Sequence, residues 1–273
     1  MTPLERLWNR PDFRAHPVRA LYRRAHWRWR WLWNNKPWPL RTAVETTLLA
    51  PRGGAGALIY YQGCSEPETA AFLCNALRPG MNFFDVGAHI GEYTLLAGRS
   101  VGPEGSVHAF EPQPDTYELL QENLRRNHAA NVKAVPCAIA AECGLARFRR
   151  HPEPSQSTLD PGGDITVPTR TLPDYVRETG VLPHVIKVDV EGAECEVLKG
   201  ALPLLGLSPG LAPLWVLEYS AENYRRFGAS VSDLRRLLES AGYHLCHLSG
   251  VPVDRFSPTR TFNLAAVKGE WFR

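Results

Sequence analysis

Apolar, β-prone runs alternate with helical patterns through most of the 273-residue chain, and this alternation constrains the fold more than any other feature. The strand-like runs are 82–88, 106–111, 132–139, 184–190, 214–219, 243–248 and 261–268. The helical patterns around them cover roughly 67–78, 92–100, 114–128 and 230–241. Such alternation predicts an α/β fold with a parallel sheet and helices on both faces. Because no helical pattern separates the last two runs, we expect them to pair as an antiparallel hairpin.

Residues 141–170 interrupt this alternation. A turn at 142–144 leads into a run at 145–150, and a second run follows at 165–170. The loop between the runs, 151–164, is rich in proline, serine and glycine. We expect an inserted β-hairpin whose loop either closes over a substrate or merely decorates the surface.

The N-terminal part of the chain differs from the rest in charge and composition. Residues 1–41 hold ten Lys/Arg against two Asp/Glu, and six of the eight tryptophans. From Pro17 onward apolar residues recur at helical spacing, and prolines at 37 and 39 end the pattern. The stripe comprises Val18, Leu21, Tyr22, Ala25, Trp29, Leu32 and Trp33. We expect a helical extension over 1–60, followed by the main domain over 61–273.

Two interpretations of this amphipathic helix stay open. An amphipathic helix rich in arginine and tryptophan is typical of segments that lie on an anionic membrane surface or bind a partner protein. In this chain that segment is residues 17–36. Alternatively, the stripe packs against the helix's own domain.

A glycine-rich turn after the first strand of the main domain indicates a cofactor site. The strand 82–88 leads through Asp85, Gly87, His89 and Gly91 directly into a helix, so that backbone N–H groups can approach a ligand. Glu111 ends the second strand, where a carboxylate can accept hydrogen bonds from a ribose diol.

The same turn lacks the features of a phosphate site. Neither the dinucleotide pattern G-x-G-x-x-G nor the phosphate-binding G-x-x-x-x-G-K-[ST] occurs there, and residues 85–98 contain no basic residue. Asp85 and Glu92 instead place two acidic groups beside the turn. Acidic surroundings favour a cationic ligand, and the sulfonium of S-adenosylmethionine fits this chemistry.

Four segments together resemble the FkbM family of S-adenosylmethionine-dependent methyltransferases. They are DVGAHIGEYTLLA (85–97), HAFEPQPDTYELLQENLRRN (108–127), IKVDVEGAECEVLKGA (186–201) and WVLEYS (215–220). The resemblance implies the class I methyltransferase fold, a Rossmann-like seven-stranded sheet with a reversed last strand. It also implies S-adenosylmethionine as cofactor and O-methylation of hydroxyls, on sugars or polyketide-like natural products. A glycolipid acceptor at a membrane would suit the basic extension.

The expected cofactor-binding residues are Asp85, Gly87, Ala88, His89, Gly91, Tyr93, Glu111, Pro112 and Ala138. The family usually has asparagine where this chain has His89. Both residue types tolerate left-handed backbone, so we expect the turn to be preserved.

Carboxylates at the ends of the fourth and fifth strands are the candidate catalytic groups. Asp189, Glu191 and Glu218 lie there, where open α/β sheets bind ligands, and any of them can accept a hydroxyl proton. Asp189 within an apolar run needs a partner, and Lys187 lies on the same face. Glu191 alternatively caps the following helix, and Glu194 complements its dipole. Two carboxylates could bind Mg²⁺, but they are too few to predict a metal site.

Other functional classes fit less well. The slightly acidic body argues against nucleic acid, and an NAD-dependent oxidoreductase would need the missing glycine set. A degenerate methyltransferase acting as a membrane-associated binding module would show a damaged cofactor turn. Six scattered cysteines, no apolar run of about 18 residues and no secretory signal predict a cytoplasmic protein. Peripheral membrane contact through residues 17–36 stays open as one of the two interpretations of the N-terminal helix.

Overall fold

The computed structural model describes residues 8, 11–257 and 259–269. The chain divides into two compact units, Met1–Pro67 and Glu68–Arg273, and each is described by itself. None of the helices in the described parts of the chain has the length and apolarity that crossing a membrane requires.

The N-terminal unit contains helices around a short β-ribbon. Its elements are α1 (Pro11–Ala15), α2 (Pro17–Trp33), β1 (Trp38–Arg41), β2 (Thr47–Ala50) and α3 (Gly54–Gln62), with β1 and β2 antiparallel. The predicted helix from Pro17 is confirmed, and it ends at Trp33.

The face of α2 that packs within this unit is not the predicted stripe. Trp27 and Trp31 are buried, and the Trp27 ring lies 5.6 Å from the ring of Tyr60. Trp29 and Leu32 of the predicted stripe are exposed, so they do not belong to this packed face. Hydrophobic periodicity detects an apolar face of a helix, but α2 has two apolar faces. Tertiary contacts determine which of the two is buried.

The second unit is built on a seven-stranded sheet, and its class I methyltransferase arrangement confirms the prediction. The sheet strands are β3 (Asn82–Val86), β4 (Ser106–Phe110), β5 (Val132–Val135), β10 (Val185–Val188), β11 (Leu214–Tyr219), β12 (His244–His247) and β13 (Phe262–Val267). Their order is β12-β13-β11-β10-β3-β4-β5. The last strand, β13, runs antiparallel to both of its neighbours, as predicted.

Helices connect the strands and bury the apolar residues of the sheet. They are α4 (Pro67–Ala76), α5 (Glu92–Val101), α6 (Pro114–Arg126), α7 (Leu172–Thr179), α8 (Glu194–Gly200), α9 (Leu202–Leu205), α10 (Ala221–Arg226) and α11 (Val231–Glu239). The four-residue strand β10 is buried along its whole length, which is typical of a central parallel strand. The carboxyl ends of β3, β4, β10 and β11 consequently meet at one edge of the sheet.

The insertion between β5 and α7 forms a second, four-stranded sheet in the order β6-β9-β7-β8. Its strands are β6 (Ala138–Ile139), β7 (Gly144–Arg149), β8 (Thr158–Leu159) and β9 (Ile165–Arg170). The predicted hairpin is the antiparallel pair of β7 and β9. Two expectations need correction. The loop 151–164 contains β8, and the predicted strand 132–139 divides into β5 and β6.

Candidate active site

The turn between β3 and α5 has the backbone conformation that its glycines require. Gly87 and Gly91 have φ values of +83° and +90°, and His89 is also left-handed at +51°, as expected for a substitute for asparagine. The backbone N–H groups of Gly87 and Ala88 both donate to the carbonyl of Phe110, each at 3.0 Å. The turn is therefore fixed to the end of β4.

Gly87 is the position in the turn where no other residue fits. A β-carbon there would lie 1.9 Å from the carbonyl oxygen of Asp189 on the neighbouring strand end. We expect Gly87→Ala to lower the free energy of unfolding by about 2–4 kcal/mol, since left-handed backbone and overpacking each contribute.

Gly180→Ala is the matched control for this substitution. Gly180, directly after α7, has a left-handed φ of +70°, but nothing lies within 4 Å of its added β-carbon. The Gly180→Ala variant should therefore lose only the backbone contribution of about 1–2 kcal/mol. Urea unfolding measures both variants, and equal losses would contradict the steric argument.

Glu111 links the two strand ends. One carboxylate oxygen accepts from the backbone N–H of His89 and the other from that of Gln113, both at 2.9 Å. Burial raises the pKa of Glu111 to about 7, and the two N–H groups oppose this shift. Each carboxylate oxygen has a second lone pair, so Glu111 can still accept hydrogen bonds from a ligand.

A buried lysine stabilises two of the predicted aspartates. The ammonium of Lys187, 1% exposed, donates to Asp189 at 2.8 Å, which confirms the predicted pair. It also lies 4.7 Å from the ring centroid of Tyr93. Burial raises the pKa of Asp85, whereas the charge of Lys187 lowers it, and Thr94 donates a hydrogen bond to this carboxylate. Asp85 and Tyr93 thus lie behind the site, around a common cation.

The three predicted catalytic residues, Asp189, Glu191 and Glu218, come together. Carboxylate oxygens from all three lie within 4.8 Å of one another. Glu191 has a left-handed φ of +56° and accepts a hydrogen bond from the Asn223 side chain at 2.9 Å. Burial, and then the neighbouring Asp189, raise the pKa of Glu191 to about 7.

Glu194 has a role that the sequence argument missed. It is fully buried, and one carboxylate oxygen accepts from the backbone N–H groups of Val190 and Gly192, at 3.1 and 3.3 Å. Burial raises its pKa to about 8. Glu194 therefore holds the loop that carries Asp189 and Glu191, beyond any complement to the helix dipole.

A pocket of about 530 Å³, counting its open mouth, joins the two groups of predicted residues. One side of it is formed by five residues predicted to bind the cofactor: Gly87, His89, Glu111, Pro112 and Ala138. Asp189 and Glu191, two of the predicted catalytic residues, line the same pocket. Among the residues that the structure describes, no lysine or arginine lines this pocket. Four predicted residues lie at or behind the turn and are not among the described lining residues: Asp85, Ala88, Gly91 and Tyr93. Glu218 is not among them either, but its carboxylate lies within 4.8 Å of those of Asp189 and Glu191.

The insertion supplies the remaining wall. Phe148, Ser155, Ser157, Thr158 and Leu159 line the pocket, and the hydroxyl of Thr158 donates to the carbonyl of Val190 at 2.7 Å. The loop 151–164 is thus part of the pocket and not mere decoration. Its proline- and serine-rich composition was the signal for a lid, but no residue in it carried a motif.

A comparison with protein families identifies the family of this chain. The model of the methyltransferase FkbM domain matches residues 85–245, which include both the glycine turn and the carboxylate cluster. The chain belongs to the FkbM methyltransferase family. The predicted family resemblance is therefore confirmed.

Three curated relatives of this FkbM-family chain have methyltransferase names. The hexuronic acid methyltransferase AglP of Haloferax volcanii is 35% identical over 50% of this chain and 56% of its own length. The 31-O-demethyl-FK506 methyltransferase FkbM of Streptomyces tacrolimicus is 30% identical over 45% of this chain and 60% of its own. The methyltransferase sdnD of Sordaria araneosa is 33% identical over 42% and 58%. The chain thus spans somewhat over half the length of these relatives.

Proposed function

We propose that this protein is an S-adenosylmethionine-dependent methyltransferase that methylates a hydroxyl group. The acceptor would be a sugar, a glycolipid or a polyketide-like natural product. The observation that carries the proposal is the single pocket in which the glycine turn and Glu111 face the carboxylates Asp189 and Glu191. Membership of the family and the names of AglP and FkbM support the same class of reaction.

The pocket suits S-adenosylmethionine better than a dinucleotide. Its described lining carries three carboxylates, from Glu111, Asp189 and Glu191, and no cation to neutralise a pyrophosphate. In this assignment Glu111 accepts hydrogen bonds from the ribose, and the glycine turn contacts the amino-acid part. An NAD-dependent oxidoreductase is correspondingly disfavoured.

When bound, S-adenosylmethionine supplies an electrophilic methyl group, and the protein must position the acceptor and remove its proton. Glu191 is the proposed base, because its pKa of about 7 places it near the pH at which general bases work best. The acceptor oxygen forms its bond to the methyl carbon while its proton passes to the Glu191 carboxylate. Asp189, fixed by Lys187, orients the hydroxyl, and the Glu218 carboxylate lies beside both in the cluster.

The sequence leaves Mg²⁺ open without predicting a metal site. The carboxylate cluster alone does not assign a metal, since Asp189 already pairs with Lys187 and Glu191 accepts from Asn223.

Calorimetric titration of S-adenosylmethionine tests the cofactor assignment. We expect Glu111→Ala to weaken binding roughly 10- to 100-fold, because hydrogen bonds to a charged acceptor contribute about 1.5–3 kcal/mol. Glu118→Ala, an exposed change on α6, should leave affinity unchanged. NAD should give no heat. Equal affinity in wild type and Glu111→Ala would reject the ribose contact. Tight binding without turnover on any sugar or polyketide hydroxyl would favour a non-catalytic binding module.

A further inference from the structure

Helix α2 presents an apolar face that no described residue of its own unit covers. Side chains along this face are mostly exposed: Val18 79%, Leu21 55%, Tyr22 66%, Trp29 58%, Leu32 76% and Trp33 77%. Together with Ala25 they recur at spacings of three, four and seven residues and so form one continuous stripe on the helix. A contiguous exposed stripe of this kind usually marks an interaction surface.

The opposite face of the same helix already packs within the N-terminal unit. Trp27 and Trp31 are 6% and 3% exposed and lie 5.4 Å apart, ring centroid to ring centroid. Trp27 also packs on Trp38 at 6.0 Å, and Arg23 donates to the carbonyl of Tyr61 at 2.8 Å. The outward stripe is therefore not needed to hold α2 in its unit.

Positive charge borders the stripe on both sides. At roughly 100° per residue, Arg19 and Arg28 fall on opposite flanks of the stripe, and both are exposed. No aspartate or glutamate occurs between residues 13 and 44, whereas eight Lys/Arg do. The surface around the stripe consequently complements an anionic partner.

We propose that the outward face of α2 is a membrane-docking surface, which lies flat in the interface of an anionic lipid bilayer. The stripe enters the boundary between headgroups and acyl chains, with Trp29 and Trp33 at the depth that indole rings prefer. Arg19 and Arg28 contact the lipid phosphates. This inference rests on the N-terminal unit alone and holds whether or not the proposed methylation is correct.

Co-sedimentation of the full chain with vesicles tests the docking surface. We expect binding to phosphatidylglycerol vesicles at low salt, weaker binding as salt rises, and little binding to phosphatidylcholine. Arg19→Gln and Arg28→Gln should each weaken binding about fivefold, which is the contribution of one basic residue near an anionic surface.

Two leucines of equal exposure provide the matched pair of variants. Leu32, on the stripe, and Leu145, on β7, are both 76% exposed. Leu32→Glu should weaken binding at least roughly tenfold, because a charge replaces an inserted apolar group, whereas Leu145→Glu should bind like wild type. Circular dichroism establishes that both variants are folded.

Three outcomes would overturn the proposal. One is the absence of binding to phosphatidylglycerol vesicles, and another is an equal loss in the two leucine variants. The third is a self-associated protein in analytical ultracentrifugation that Leu32→Glu dissociates, because the stripe would then bind a second copy of the chain.

Discussion

Replacing Lys187 with methionine should lower the free energy of unfolding by about 3–5 kcal/mol, which is typical when one member of a buried charge pair is removed. The ammonium is nearly inaccessible and is the cation shared by Asp85 and Asp189. Without it, burial raises the pKa of Asp85 further, and Asp189 loses the contact that orients it into the pocket. We therefore expect methyl transfer to be lost as well, even below the unfolding temperature.

Lys199→Met is the control for this prediction. Lys199 also forms an ion pair, with Glu196 at 2.6 Å, but its side chain is 50% exposed. Exposed pairs contribute about 0–1 kcal/mol, so this variant should unfold nearly like wild type. Urea unfolding at neutral pH compares the two, and similar losses would mean that the buried pair carries no special stability.

Glu191→Gln should reduce the rate of methyl transfer by about 10²–10⁴-fold, the range expected when a general base is removed. In the wild type, the rate should fall about tenfold per pH unit below about 7. The reason is that the raised pKa of Glu191 leaves most of the carboxyl protonated there. In Glu191→Gln this pH dependence should disappear, while affinity for S-adenosylmethionine stays within a few-fold.

The rate is measured as S-adenosylhomocysteine release, with an acceptor found by screening sugar and macrolide hydroxyls. Glu222→Gln is the control, because Glu222 lies on the nearby α10 but its side chain is 78% exposed. A Glu191→Gln variant that keeps wild-type rate and pH profile would assign the base to Asp189 or Glu218, or show that none is needed.

The main sheet was predictable because its buried strands consist mostly of apolar residues. The segments β3, β10 and β11 are largely apolar, each interrupted by one charged residue, and largely apolar segments are typical of strands buried on both faces. The division of 132–139 was not predicted, although Pro136, which lacks a donor N–H, lies between β5 and β6. Helices such as α9 and α10 have four and six residues, too few for periodicity to indicate them.

The site residues that lie at the strand ends could be predicted from the sequence. The pocket residues that come from the inserted loop could not. Asp189, Glu191 and Glu218 follow from the rule that parallel strands end at one edge of a sheet. The lining residues Ser155 and Ser157 come from a loop with no motif, and only the folded insertion brings them to the pocket.

The pocket is lined by several separate stretches of sequence. The segment from Gly87 to Pro112 contributes residues predicted to bind the cofactor, β6 contributes Ala138, the chain after β10 contributes Asp189 and Glu191, and Phe148 to Leu159 forms the far wall. The insertion begins and ends at adjacent strands, since β6 pairs with β9. A segment with neighbouring ends can be exchanged without moving the sheet beneath it. Under the proposed function, grafting another family member's segment from β7 to β9 should change the acceptor that is methylated while leaving the methyl donor the same, because Ala138 in β6 is kept.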